Sequence, residues 1–224
     1  MTQKATFLAA LPDDDRADLL ATGQPHAWRR GEMLVRLGEP ADTAFVLTGG
    51  LVKIHRSNAE GAEVVLGIRG SGDLLGEVGA NRDAFRTAHA TALDAVEGAV
   101  IRITALRTFL TTHPAVTLAL LDLALARLQY ADTSRLEFAT SGSLARVAGR
   151  LVELAERFGV SRPDGGVDVR LPINQEELAS WSGSSRESTA RALRTLRELG
   201  LIETQRLRMV VLDLDRLRAH QPRL

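Results

Sequence analysis

The 224-residue sequence contains no cysteine, which excludes a disulfide framework, a thiolate-held iron–sulfur cluster and a thiol redox switch. It has no net charge either. Its 28 Lys and Arg balance 28 Asp and Glu, which argues against non-specific attraction to nucleic acid. Long hydrophobic runs are also missing. The most apolar stretch, Thr117 to Leu128, is broken by Asp122 and Arg127, and no basic-then-apolar leader opens the chain. Neither a signal peptide nor a membrane span is expected, and the chain reads as cytoplasmic with no membrane partner. The five histidines (His26, His55, His89, His113 and His220) never recur at HxH or HxxxH spacing. A metal-dependent jelly-roll enzyme needs clustered His and carboxylate ligands on neighbouring strands. No metal, no catalytic site and no enzyme are therefore expected.

What is present is organised in zones. Hydrophobic residues make up 45% and charged residues 25%, enough apolar content for one large or two small globular domains. The charge is unevenly spread: residues 140–224 hold 14 Arg against 11 acids, and residues 1–139 hold 14 Lys and Arg against 17. The basic half is the half expected to meet phosphate. Near the start, Phe7–Asp15 reads as the beginning of a short helix, its aspartates complementing the helix dipole. From Trp28 to about Ile103, short β-rich runs alternate with Gly, Asp and Asn turns, the pattern of a β-sandwich or jelly roll. A helix is predicted from Thr117 to Ala139, with Leu118, Leu121, Leu125 and Leu128 spaced 3, 4 and 3 apart as an a/d seam. Such a stripe can pack on its own domain or join two copies of the chain, and the second is expected here. Asp132 continues the seam at a position where a buried charge needs a partner.

After the break at Ser141-Gly142-Ser143 come a helix over Leu144–Phe158 and a strand–turn–strand around Pro163–Val169. The stretch Ile173–Arg191 then reads as a helix, a turn at Gly183 and a second helix, followed by a β pair at Leu201–Thr204 and Met209–Leu212. That is the order of a winged helix-turn-helix. Ser184-x-x-Glu187 has the form of a capping box, starting the second helix near Ser184 or Ser185. Its buried stripe is predicted as Thr189, Ala192, Leu193, Leu196 and Leu199. Glu187, Arg191 and Arg194 project to the other side, with Arg186 on the first turn and Ser185 at the start. Arginine can donate to guanine O6 and N7, and a carboxylate can accept from cytosine N4. The competing reading, a solvated face with a Glu187–Arg191 pair, is worth only about 0.2–0.5 kcal/mol.

At Gly183-x-Ser185-Arg186-Glu187-x-x-x-Arg191, Gly31-Glu32, Gly38, Leu75-Gly76-Glu77 and Arg86-Thr87-Ala88, the sequence resembles the CRP/FNR family, the cyclic-AMP receptor protein and its relatives. The resemblance covers nearly the whole chain. It implies an α+β chain: an N-terminal β jelly-roll, cyclic-nucleotide-binding-like effector domain (1–116), a dimerisation helix (117–139) and a C-terminal winged helix-turn-helix domain (140–224). Arg186, Glu187 and Arg191 match the positions that read a G–C-containing half-site. Gly76, Glu77, Arg86, Thr87 and Ala88 match the phosphate-binding cassette, and Arg127 a helix position close to the cyclic phosphate. The chemistry is apt, since a phosphate wants a guanidinium, a glycine admits close backbone approach and a carboxylate can accept from a ribose hydroxyl. Asp132 stands where relatives place a hydroxyl residue against the base, and could accept from guanine, so the effector is expected to be cyclic AMP or cyclic GMP.

The resemblance also implies a homodimer on a two-fold double-stranded DNA operator, a hinge at Ala139–Ser143 and contact with RNA polymerase, for which the Ser161–Gly165 turn is a candidate. Three alternatives stay open. In the first, Arg86 and Glu77 simply pair with each other at a strand end. In the second the regulator needs no effector, and in the third it senses haem or another small molecule, His89 being the haem-ligand candidate.

Overall fold

The computed structural model describes residues 6–57, 61, 63–80, 84–170, 173–205 and 207–222. These form two compact units, one of residues 6–57 and 66–128, the other of residues 129–222 with 61 and 63–65. The elements run α1 (Asp13–Thr22), β1 (Gln24–Trp28), β2 (Met33–Val35), β3 (Thr43–Gly49), β4 (Val52–Ser57), β5 (Glu63–Arg69), β6 (Leu74–Leu75), β7 (His89–Ala92) and β8 (Val96–Arg102). Next come α2 (Ile103–Thr112), α3 (Pro114–Thr140), α4 (Ser143–Phe158), β9 (Val160–Ser161) and β10 (Val167–Arg170). The chain closes with α5 (Gln175–Trp181), α6 (Arg186–Glu198), β11 (Ile202–Gln205), β12 (Arg208–Val211) and α7 (Leu214–Arg218). Among the described residues no single helix is long and apolar enough to cross a membrane.

The β-rich unit is built from two four-stranded sheets, ordered β1-β8-β3-β6 and β2-β7-β4-β5. Strand β3 shows why both faces of its sheet are covered. Ala44, Phe45, Val46 and Leu47 are all buried, but the pleat sends them alternately in two directions. Phe45 and Leu47 enter an inter-sheet core with Trp28, Val52, Leu75, Ala90 and Val96. Ala44 and Val46 enter a second core with Leu19, Ile101, Leu106 and Phe109, against α1 and α2. The strand is therefore a rigid central member, and its first residues carry the groups that meet Arg86.

The predicted long helix begins earlier than expected, at Pro114, directly after α2. Its leucine seam is open: Leu118, Leu121, Leu125 and Leu128 are 63%, 54%, 49% and 59% exposed.

In the second unit, α4 buries Val147, Ala148, Leu151, Val152, Leu154 and Ala155. Arg150 falls on the same stripe and is itself buried. Its Nη2 donates to Glu137 Oε2 at 2.6 Å, and its Nη1 donates to Glu153 Oε2 at 3.2 Å and to the Tyr130 hydroxyl oxygen at 2.8 Å. That hydroxyl donates to Glu153 at 3.0 Å and accepts from the Trp181 indole N–H at 3.2 Å. The guanidinium also lies over the rings of Tyr130 and Trp181. Burial by itself would lower the Arg150 pKa, but Tyr130, Glu153 and Glu137 together outweigh it and raise it. One buried charge thus ties the end of α3 to α4 and α5. The expected hinge at Ala139–Ser143 is correspondingly braced. Arg146 donates to the Ser141 carbonyl and, from Nε, to the Ser182 carbonyl at 2.8 Å.

Burial, and then the neighbouring Glu153, hold the Tyr130 phenol well above its ordinary value, with Arg150 opposing. The folded state therefore keeps a proton that the unfolded chain releases near pH 10, so stability falls as pH rises above about 10. Tyr130 is the sole tyrosine. Urea denaturation across that range is expected to show the fall in the parent protein and its absence in Tyr130→Phe.

Candidate functional site

The DNA-reading motif is built by local chemistry at two helix starts. Asn174 caps α5 with a full capping box: its side chain accepts from the Glu177 N–H at 2.9 Å, and Glu177 accepts from the Asn174 N–H at 2.8 Å. The box expected at Ser184–Glu187 is not formed. Ser185 caps α6 instead, accepting from the Ser188 N–H at 3.1 Å, which leaves Glu187 facing outward. Between the helices, Gly183 has φ +59°, and a β-carbon there would stand 2.7 Å from the Phe138 ring. Both the left-handed backbone and the close approach require glycine. Arg146 holds this turn from the α4 side, its Nη2 donating to the Gly183 carbonyl at 3.0 Å.

Helix α6 buries Thr189, Ala192, Leu193 and Leu196, as its periodicity predicts. Leu199 differs: it is the C-cap residue and 42% exposed, because the helix ends before that turn reaches the core. Ser185, Arg186, Glu187, Arg191 and Arg194 are all exposed. Arg191 Nη2 donates to Glu187 Oε1 at 2.8 Å, so this weak i,i+4 pair does form on the free surface. An exposed pair of that kind opens at little cost, which leaves both groups usable for base edges.

The second candidate site lies in the β-rich unit. Gly76 follows β6 with φ +80°, and a β-carbon on it would come within 2.6 Å of Arg86 Nη1 and 2.8 Å of the Thr43 carbonyl oxygen. Arg86 is buried at 8% exposure. Its backbone is fixed by two bonds, its N–H to the Glu39 carbonyl at 2.8 Å and its carbonyl from the Gly38 N–H at 2.9 Å. Its Nη2 donates to Thr43 Oγ1 at 2.7 Å, and its guanidinium lies 5.6 Å from the Phe45 ring centroid. The nearest carboxylate, Asp42, is 3.7 Å away and mostly in water. Burial lowers the Arg86 pKa, and the acids Asp42, Glu39 and Glu77 only partly offset it. Its Nη1 is buried without a hydrogen-bond partner among the described residues.

Arg86 and Glu77 form no ion pair with each other. Glu77 pairs with Arg127, whose Nη2 also donates to the Leu74 carbonyl at 2.5 Å and whose Nε is buried without a hydrogen-bond partner among the described residues. Gly76, Glu77, Arg86 and Arg127 are thus gathered in one place. Thr87 is exposed and Ala88 half-buried beside Arg86 in the chain. Asp132 belongs to the other unit, where it is exposed and accepts from Arg135 at 3.5 Å. His89 stacks on His55, and its Nδ1 accepts from the Leu37 N–H at 3.2 Å. Among the described residues, no three His, Asp or Glu side chains are grouped to hold a metal.

Sequence reasoning missed Thr43, Asp42, Arg146 and Arg150. Arg150 left a signal, since it interrupts the apolar stripe of α4 in phase with Val147 and Leu154. Thr43 left none, because its partner lies 43 residues away.

Residues 25–113 match the cyclic nucleotide-binding domain family, and residues 145–220 match the Crp-like helix-turn-helix domain. Over 194 residues the chain is 31% identical to a Mycobacterium tuberculosis protein described as a CRP-like cAMP-activated global transcriptional regulator, covering 87% of this chain and 86% of that one. The chain belongs to the CRP family of transcription regulators. It is a DNA-binding regulator with a cyclic nucleotide-binding domain, not an enzyme. Its fold is similar to that of FixK2 from Bradyrhizobium japonicum, with a TM-score of 0.80 at 19% identity over 90% of this chain and 98% of that one. It is also similar to CLP of Xanthomonas campestris, described as a c-di-GMP responsive global regulator, with a TM-score of 0.76 at 24% identity over 90% and 100% of the two chains.

Proposed function

We propose that this CRP-family chain is a homodimeric regulator whose affinity for a two-fold operator is set by a cyclic nucleotide held in the β-rich unit. The observation that carries the reading is the buried Arg86 Nη1, which has no hydrogen-bond partner among the described residues and lies so close to Gly76 that no Cβ would fit there. A buried polar nitrogen left unpaired costs roughly 1–3 kcal/mol, which an anionic oxygen would recover. Arg86 and the backbone of Gly76, Thr87 and Ala88 would hold the cyclic phosphate, with Arg127 alongside, and Glu77 would accept from the ribose. The M. tuberculosis relative is described as cAMP-activated, which favours cyclic AMP over cyclic GMP. Asp132, offered as a guanine acceptor, is exposed and only loosely paired with Arg135 at 3.5 Å, so the cyclic GMP reading rests on the resemblance alone. A cytoplasmic location and the division at 116/117 and 139/140 remain part of this reading.

The open leucine seam of α3 supports the dimer, since four leucines half exposed on one helix face need a partner surface. Each copy would place α6 in the major groove, with half-sites about 34–36 Å apart. Ser185, Arg186, Glu187, Arg191 and Arg194 would then meet bases and phosphates. The Ser161–Gly165 turn, where Arg162 pairs with Asp164 at 2.7 Å, is proposed to contact RNA polymerase. Helix α3 is continuous from Arg127, at the effector residues, to Glu137, which Arg150 fastens to α4. Bound effector would therefore act on the reader through α3. By linkage, operator DNA and effector must tighten each other's binding by the same factor.

Calorimetry of the parent protein against cyclic AMP and cyclic GMP is expected to give binding, and Arg86→Leu to weaken it by roughly tenfold to a hundredfold. Equal binding by the variant, or none by the parent, contradicts the effector assignment. Arg191→Ala is expected to cost about 1–3 kcal/mol of operator affinity and to relax selectivity at one base pair of each half-site. Anisotropy titrations against base-substituted operators read both effects. Sedimentation equilibrium finding a monomer at operator-binding concentrations would remove the dimer.

A further inference from the structure

Only one of the two terminal nitrogens of Arg86 is engaged. Nη2 donates to Thr43 Oγ1 at 2.7 Å, while Nη1 stays buried without a partner among the described residues. The engaged nitrogen fixes where the free one points, so what holds the guanidinium in its plane decides what it presents. The Phe45 ring, 5.6 Å from the guanidinium carbon, offers no hydrogen bond that would set the direction of either nitrogen. The direct ion pair to Asp42 is long, 3.7 Å, and its carboxylate is solvated, so it holds the charge only loosely. The Thr43 hydroxyl supplies the missing direction. It accepts from Nη2 and, with its own proton, donates to Asp42 Oδ1 at 3.3 Å, which aligns its lone pairs toward Arg86. Thr43 opens β3, whose following residues are locked into both hydrophobic cores, so the hydroxyl is presented from a rigid strand.

We propose that Thr43 is the positioning residue of the effector site: it ties down one Arg86 nitrogen so that the other alone is aimed past Gly76 at the ligand's phosphate. The inference rests on the reading that Arg86 receives that phosphate. It makes the contact single rather than forked. It also suits a singly charged phosphodiester, since the acids Asp42, Glu39 and Glu77 around Arg86 disfavour a second negative charge. Thr43 itself touches no ligand atom in this scheme and acts only through Arg86.

The test is calorimetry with cyclic AMP and cyclic GMP on the full chain. Thr43→Val keeps the side-chain shape and the β-strand preference while removing the hydroxyl. It is expected to weaken binding by about tenfold, the loss of one charge-assisted hydrogen bond. Thr43→Ser, which restores the hydroxyl without the methyl, is expected to bind within about threefold of the parent. In an Arg86→Lys background, where there is no second nitrogen to hold, Thr43→Val should add nothing. A structural role for the side chain would instead give the same loss in both backgrounds. Binding by Thr43→Val equal to the parent overturns the inference and leaves the effector site standing. So does a loss in Thr43→Ser as large as in Thr43→Val. A parent protein that binds neither nucleotide removes the effector reading, and this inference with it.

Discussion

A guanidinium taken out of water costs several kcal/mol unless charge and hydrogen bonds replace its hydration, and this chain buries two in contrasting surroundings. Arg150 is enclosed by Glu137, Glu153 and the Tyr130 hydroxyl, and its pKa is raised in spite of burial. The carboxylate nearest Arg86, that of Asp42, is 3.7 Å away and solvated, and Asp42, Glu39 and Glu77 together do not offset burial, so its pKa is lowered. Each keeps one buried nitrogen without a partner, but their charge balance differs. Arg150 is compensated within the protein. Arg86 is held by Thr43 and by its backbone bonds but is not compensated to the same degree, which is why it is proposed to receive an anion. The functional account depends on that difference.

The compensated arginine determines what the reader is attached to. Tyr130, Ser134 and Glu137 lie on the final turns of α3, and all three bond to Arg150 of α4. Phe138, from the same turns, packs against Gly183 between α5 and α6, and Arg146 lies over its ring. The end of α3 therefore belongs with the DNA-reading helices as one packed body. Breaking such a network by removing one partner typically costs about 3–5 kcal/mol, because the remaining charges are left buried. Within this unit, the Ala139–Ser143 segment is flanked by packed side chains on both sides.

The exposed face of α6 was legible because helical periodicity alone separates Thr189, Ala192, Leu193 and Leu196 from Arg186, Glu187, Arg191 and Arg194. The leucine seam of α3 was legible for the same reason. Capping was not settled by pattern, since both Asn174-x-x-Glu177 and Ser184-x-x-Glu187 have the required form. Only the backbone geometry decides that Ser185, one residue later, caps α6. Leu199, expected in the buried stripe, is the exposed C-cap residue one position beyond the helix. The cassette was visible only as a resemblance; that Glu77 pairs with Arg127 and Arg86 with Thr43 depends on contacts about fifty and forty residues apart, which no local pattern encodes.

Reciprocal linkage between operator and nucleotide tests the central claim most directly. Fluorescence anisotropy would give operator affinity with and without saturating cyclic AMP, and calorimetry would give nucleotide affinity with and without operator. The account predicts that each ligand tightens the other by the same factor, in the range of about 5–150-fold typical of allosteric coupling. Operator affinity unchanged by the nucleotide, at concentrations where calorimetry shows the site filled, would contradict it.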